Sequence, residues 1–473
     1  MTDSPVGHAL RFWKPLVEAS ELEALAAYRD PDDALQRGIN AYRPDSDARM
    51  YRVADGETTF PLFASVHPIA VLPPAAASVA EIRDAAGEHY SYVLWFPEDG
   101  AVVVPFDPND AVEAYWHEDW VPEGKRTALP RPLLVLYYAV KKLMPPWLKQ
   151  RLRRSMARRA LASQDWLSWP TDDSLDVLQR FLLRLIMLAS GRRELEFSWF
   201  WPGGHPWAVT LTHDVETADG LARVPRVVEL ESARGLRSSF NVVFRDYEVP
   251  DEFVRSLDER GFEVGVHGYT HDGLLFSNRV LFSERATAIN EYAHRIGAAG
   301  FRSPATYRNR DWMQGLDFEY DSSFSNSAPC EPQPGGCASF FPYALGKLTE
   351  VPITVPMDHT LFELLEQTGA GTWLAALDTI KAANGMACIL THPDGAPGYI
   401  GVAANEASYV RALDMIAASD AWVAVPRDLV RWWRARAEAP TGDVSGLDGS
   451  SMGIARMSSS GRLEIVSPPC PSG

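Results

Sequence analysis

Two histidines, His267 and His271, stand four positions apart in "VHGYTHDG", directly after an apolar run, in a chain of 473 residues that holds only 11 histidines. Two imidazoles and one carboxylate form a common ligand set for a divalent first-row metal, one that leaves positions open for water and substrate. Asp214 and Glu216 of "LTHDVET" lie two apart just past another apolar run, and either could supply the carboxylate. Metal-assisted hydrolysis of an amide or ester is the chemistry such a set serves. The carboxylate left over would take a proton from the attacking water. His392 of "CILTHPDG" would protonate the leaving group, and Arg302 of "GFRSPAT" would orient the catalytic carboxylate or hold it ionised.

Each residue has a plainer reading. A His-x-x-x-His pair alone is often two surface or core residues, Asp214 could only cap a helix, and Arg302 could pair with a surface acid to little effect. His392 precedes Pro393 and could mark a turn. What favours a site is their joint position, because all four clusters fall at the ends of apolar runs that read as strands.

Those runs set the expected architecture. "WAVTLTHDV", "RSSFNVVF" and "FEVGVHG" alternate with the helical stretches "ADGLARVPRVVELESARG" and "PDEFVRSLDERG", a rhythm that predicts parallel βα units. It continues through "GFRSP", "FEYDSS", "LTEVPITVP" and "MACILTHPD", with helices at "TWLAALDTIKAANG" and "EASYVRALDMIAAS". The expected fold is α/β: a distorted (β/α) barrel of about seven strands over residues 206–436, with polar groups gathered at the C-terminal strand ends. An α+β accessory domain over 1–200 precedes it, closed by the turn-rich "FWPGGHPW". In that domain "YSYVLWFPEDGAVVVPFDP" reads as a hairpin. Residues 437–473 read as a flexible tail with a small hairpin.

Composition narrows the class. With 46% hydrophobic residues the chain can bury a substantial core. A formal net charge of −17 argues against nucleic-acid partners. No run is apolar enough to span a bilayer, and the N-terminus lacks a signal-peptide pattern, so a cytoplasmic location is expected. The basic stretch 141–159 could touch an anionic membrane surface weakly, although a solvated face, or a contact with acids of this same chain, is the simpler expectation. Cys330 and Cys337 flank "CEPQPGGC" and could meet as a disulfide or a shared metal site, while Cys388 in "MACIL" reads as a buried apolar residue.

The ordered motifs "LTHDVE", "HGYTH", "FRSPA" and "ILTHPD" resemble those of the polysaccharide deacetylase family, carbohydrate esterase family 4, over about Pro206 to Trp433. The resemblance implies Asp214 as catalytic base, Glu216, His267 and His271 as metal ligands, Arg302 beside the base, and His392 as general acid. It further implies a backbone N–H at Ala305 for the oxyanion, a divalent ion with zinc the expected one, and removal of acetyl groups from N-acetylated sugars of a polysaccharide or its precursor. Asp321 in "FEYDSSF" would support His392 or shape its loop. The chain departs from the family pattern in two places: the acidic pair is spaced as Asp-x-Glu, and Ala305 stands where an aromatic is usual. An allantoinase-like hydrolase of a small cyclic amide and a catalytically weak glycan-binding module are the alternatives.

Overall fold

The computed structural model describes residues 7–16, 25–27, 47–56, 58–98, 100–121, 145–162, 167–439, 449–459 and 461–470. The helical run expected before residue 145 and most of the linker after 437 lie outside these. The chain forms two compact units, each discontinuous in sequence: Met1–Trp120 with Asp173–His205 and Ala435–Gly473, and Val121–Asp172 with Pro206–Arg434.

In the first unit, β1 (Leu25–Ala27), β2 (Arg49–Ala54), β3 (Thr59–Ala64), β4 (Ala77–Arg83), β5 (His89–Phe96) and β6 (Ala101–Val104) form a sheet in the order β1-β6-β5-β4-β2-β3. The β5–β6 pair is the expected hairpin, with Phe96 opposite Ala101. Helix Ser174–Ala189 is apolar along most of its length and buries Leu178, Leu182, Leu185 and Ile186, as a core-facing helix must. β7 (Glu194–Ser198) follows it.

The second unit carries β8 (Ala208–Val215), β9 (Ser238–Val242), β10 (Glu263–Val266), β11 (Gly300–Phe301), β12 (Tyr320–Asp321), β13 (Tyr343–Leu345), β14 (Leu348–Glu350), β15 (Met386–Thr391) and β16 (Trp422–Val423). Their order is β13-β14-β12-β11-β10-β9-β8-β15, with β16 also on β8. Every pairing is parallel except β13–β14. All residues of β8, β9, β10 and β15 are buried, as strands of a parallel sheet covered on both faces are, and the polar residues among them, such as Thr212, His213, Asp214 and Asn241, are held by hydrogen bonds. This curled sheet is the expected distorted barrel. The strands predicted from sequence are all present, and β13 and β16 add to them.

Helix Pro146–Ala162 also belongs to this unit, where Arg154 pairs with Glu363 and Glu366, and Arg158 with Glu366. Part of the basic stretch therefore meets acids of its own chain. No helix among the described residues is long and apolar enough to cross a membrane.

The chain re-enters the first unit after Arg434. There β17 (Met452–Met457) pairs with β7 and with β18 (Leu463–Val466), making a three-stranded antiparallel sheet. The hairpin expected in the tail is thus the outer part of a sheet begun by β7.

Candidate active site at the strand ends

Residues at the C-terminal ends of β8, β10, β11 and β15 converge. Side-chain alternation sorts the first of them: along β8, Asp214 points to one face and His213 to the other. His213 is fully buried there, its Nδ1 2.7 Å from Thr391 Oγ1 and its Nε2 2.8 Å from Glu231 Oε1, in a network closed by Tyr409. It takes no part in the site. Asp214 Oδ1 accepts from Asn241 Nδ2 at 2.9 Å and lies 3.4 Å from Arg302 Nη1, which leaves Oδ2 the freer oxygen.

His267 follows β10. Its Nδ1 donates to the Arg302 carbonyl at 3.1 Å, which fixes the tautomer and turns a bare Nε2 lone pair into the site. That Nε2 is buried and has no hydrogen-bond partner. Gly268 then turns the chain, with φ at +68°, and a Cβ there would lie 2.5 Å from Pro304 Cδ. Only glycine suits both the backbone angle and the close approach. The turn brings His271 back so that its ring centroid is 5.4 Å from that of His267. His271 Nε2 stands 3.0 Å from Glu216 Oε1.

One donor atom each from Glu216, His267 and His271 falls within 4.8 Å of the others. Three inward-facing donors of this kind, one of them an orphaned buried imidazole nitrogen, fit a divalent cation. They form the only such group of His, Cys, Asp or Glu side chains among the described residues.

His392, after β15, faces the trio with its Nε2 3.8 Å from Glu216 Oε1. Its Nδ1 lies 2.7 Å from Asp358 Oδ1, and its backbone N–H donates to Asp358 Oδ2 at 2.9 Å. Asp358, completely buried, is the carboxylate that meets His392, one of the two roles the sequence left open for Asp321. Asp321 closes on its own loop instead, accepting from the Ser323 backbone N–H at 3.0 Å and from Ser323 Oγ at 2.8 Å. Ala305 occupies the turn Pro304–Thr306 after β11, with left-handed φ values at Ala305 (55°) and Thr306 (52°). Non-glycine residues hold such angles at a cost of about 1–3 kcal/mol, so this turn is strained beside the site. No disulfide joins Cys330 to Cys337, and Cys388 is buried in β15 as its apolar setting suggested.

The electrostatics separate the groups. Burial alone would raise the Asp214 carboxyl, but its electrostatic interactions with His267, Arg302 and His392, with the Asn241 hydrogen bond, outweigh it and hold Asp214 below the usual carboxylate range. Glu216 is likewise held well below that range against its burial, chiefly by its contact with His271 and the charge of His392. Burial pushes His267 down to about 4, so its imidazole is neutral, as a ligand must be. Burial acts on His392 in the same direction, yet the Asp358 carboxylate, followed by Glu216 and Asp214, raises it to about 10. At neutral pH an ionised Asp214 and a protonated His392 therefore flank the trio.

Sequence reasoning missed three neighbours: Asn241, Asp358 and Tyr399. The Tyr399 hydroxyl donates to Glu216 Oε2 at 2.9 Å, and its ring stacks on His392 with centroids 4.3 Å apart. Asp358 did carry a signal, since "VPMDHT" places an acid just past an apolar stretch, as in the other clusters.

Fold and side chains together define an α/β protein with a candidate metal centre, flanked by Asp214 and His392, at the C-terminal ends of a curled parallel sheet. No protein-family model matches the chain, and no curated protein does. Among solved structures, it is similar to a protein from Mycobacterium smegmatis proposed to be a polysaccharide deacetylase (21% identity, 51% of this chain and 95% of that one, TM-score 0.41). It is also similar to the PuuE allantoinase (16% identity, 51% and 93%, TM-score 0.39). A third similar structure is a probable polysaccharide deacetylase from Pseudomonas aeruginosa PAO1 (16% identity, 51% and 94%, TM-score 0.40). It is the side-chain arrangement, rather than these likenesses, that points to chemistry.

Proposed function

We propose that the protein is a metal-dependent amide hydrolase that removes acetyl groups from N-acetylated sugars. The observation that carries this reading is the convergence of Glu216, His267 and His271 donor atoms within 4.8 Å, with Asp214 and His392 on either side. The motif order "LTHDVE", "HGYTH", "FRSPA", "ILTHPD" supports the choice of substrate class.

In this reading Glu216, His267 and His271 hold the cation, and the mixed imidazole–carboxylate set suits zinc. A divalent ion bound there supplies Lewis acidity toward a water molecule and a carbonyl oxygen. Asp214 receives the proton of the attacking water on its less engaged Oδ2, while Asn241 and Arg302 keep Oδ1 fixed and the group ionised. His392 delivers the proton on Nε2 to the departing nitrogen, with Asp358 holding Nδ1 and stabilising the charged ring. The backbone N–H of Ala305 stabilises the oxyanion in this scheme.

Asp358→Asn tests the acid. Removing the negative charge lowers the His392 pKa, so the alkaline limb of the pH–rate profile, set near pH 10 by His392, moves to lower pH. Turnover falls about 10- to 100-fold. An unshifted alkaline limb in a folded variant would remove His392 from the role of acid.

Substrate class is tested by acetate release from N-acetylated oligosaccharides, with and without chelator. Chelator-sensitive release of acetate supports the proposal. Chelator-sensitive opening of a cyclic amide such as allantoin without acetate release would move the substrate elsewhere, and saccharide binding with no turnover would leave a glycan-binding module.

A further inference from the structure

We propose that Tyr399 is a positioning residue that fixes the Glu216 carboxylate in its metal-binding orientation. The inference rests on the reading of Glu216 as a ligand and adds a group that the ligand's length requires. A glutamate has one more rotatable bond than an aspartate and loses more conformational freedom when one oxygen must be held on a target.

The structure removes that freedom at both ends of the side chain. At the backbone, Asp394 Oδ2 accepts the Glu216 N–H at 3.1 Å, while Asp394 Oδ1 accepts from the Thr217 hydroxyl. At the carboxylate, the Tyr399 hydroxyl donates to Oε2 at 2.9 Å, leaving Oε1 3.0 Å from His271 Nε2. One oxygen is thus assigned to the protein and the other to the site.

Tyr399 is itself held in place. It follows Gly398, whose φ is +91° and where a Cβ would lie 2.5 Å from Glu363 Cβ, so the chain passes Glu363 at a distance only glycine permits. The Tyr399 carbonyl accepts from Asn405 Nδ2 at 3.0 Å. The next residue, Ile400, donates its N–H to Asp358 Oδ2 at 3.1 Å, the same oxygen that accepts the His392 N–H. The loop carrying Tyr399 is therefore tied to the carboxylate that orients His392, and the tyrosine ring lies nearly parallel to the His392 ring, at 14°. A hydroxyl that was only satisfying its own burial would need none of this registration.

The test is Tyr399→Phe in the full chain, which keeps the ring stack and removes one oxygen. Zinc affinity is measured by competition with a chromogenic chelator, alongside the melting temperature of the metal-free protein. The expected result is a roughly 10- to 100-fold weaker Kd, the size typical of losing a group that orients a metal ligand, with little change in metal-free melting. Glu216→Asp draws the carboxylate back from the tyrosine. On that background Tyr399→Phe should therefore change the Kd by less than about twofold, a coupling that a general packing defect would not produce. Wild-type affinity in Tyr399→Phe, with binding weakened in Glu216→Ala, overturns the positioning role and leaves the metal site standing. Equal zinc affinity in the wild-type and Glu216→Ala chains overturns both.

Discussion

Asp214→Asn is expected to retain its metal and lose turnover by about 10²- to 10⁴-fold, the range associated with removing a general base. The variant is nearly isosteric, so Arg302 and Asn241 remain packed around it. What disappears is an acceptor of the water's proton, since a carboxamide has no comparable basicity. Asp214 does not belong to the converging trio, so the Kd for metal should stay within a few-fold of wild type. Chelator competition and single-turnover kinetics on the same preparation separate the two quantities. Full activity in Asp214→Asn refutes the assigned base, and loss of metal would instead place Asp214 among the ligands.

His267→Ala has the opposite signature. It removes the nitrogen that the structure leaves buried and unpartnered, so affinity for a divalent ion should fall more than about 100-fold, beyond the loss typical of groups that only orient ligands. Activity falls with it and returns only in part at millimolar metal. Because His267 is buried, the substitution also leaves a cavity, so the melting temperature of the metal-free variant is measured alongside to separate loss of a ligand from loss of fold. A variant that keeps both metal and turnover would remove the histidine pair from the mechanism.

Much of this site was legible in the sequence because parallel strands buried on both faces announce themselves as apolar runs, and catalytic groups follow those runs at their C-terminal ends. Asp214, Glu216, His267, His271, Arg302 and His392 all sit at such positions. The short strands β13 and β16, of three and two residues, carry too little pattern to be seen. Of the two roles the sequence left open for Asp321, supporting His392 or shaping its loop, the hydrogen bonds to Ser323 two residues away fit the second, because a sequence does not show which way a carboxylate turns. Tyr399 lies 183 residues from Glu216, in a loop whose "APGYIG" reads only as a turn. Its role depends on long-range packing. The spaced Asp-x-Glu pair follows from the same geometry: Glu216 lies just beyond β8, and its longer side chain reaches both His271 and Tyr399.

Elemental analysis of the purified full-length chain, before and after dialysis against chelator and again after reconstitution, tests the central claim most directly. The account predicts one divalent ion per chain, removed by chelator, restored stoichiometrically by zinc, and absent from a chain carrying His267→Ala and His271→Ala together. A wild-type chain that takes up no divalent ion at micromolar concentrations, or one that binds it equally well without the two histidines, would contradict it.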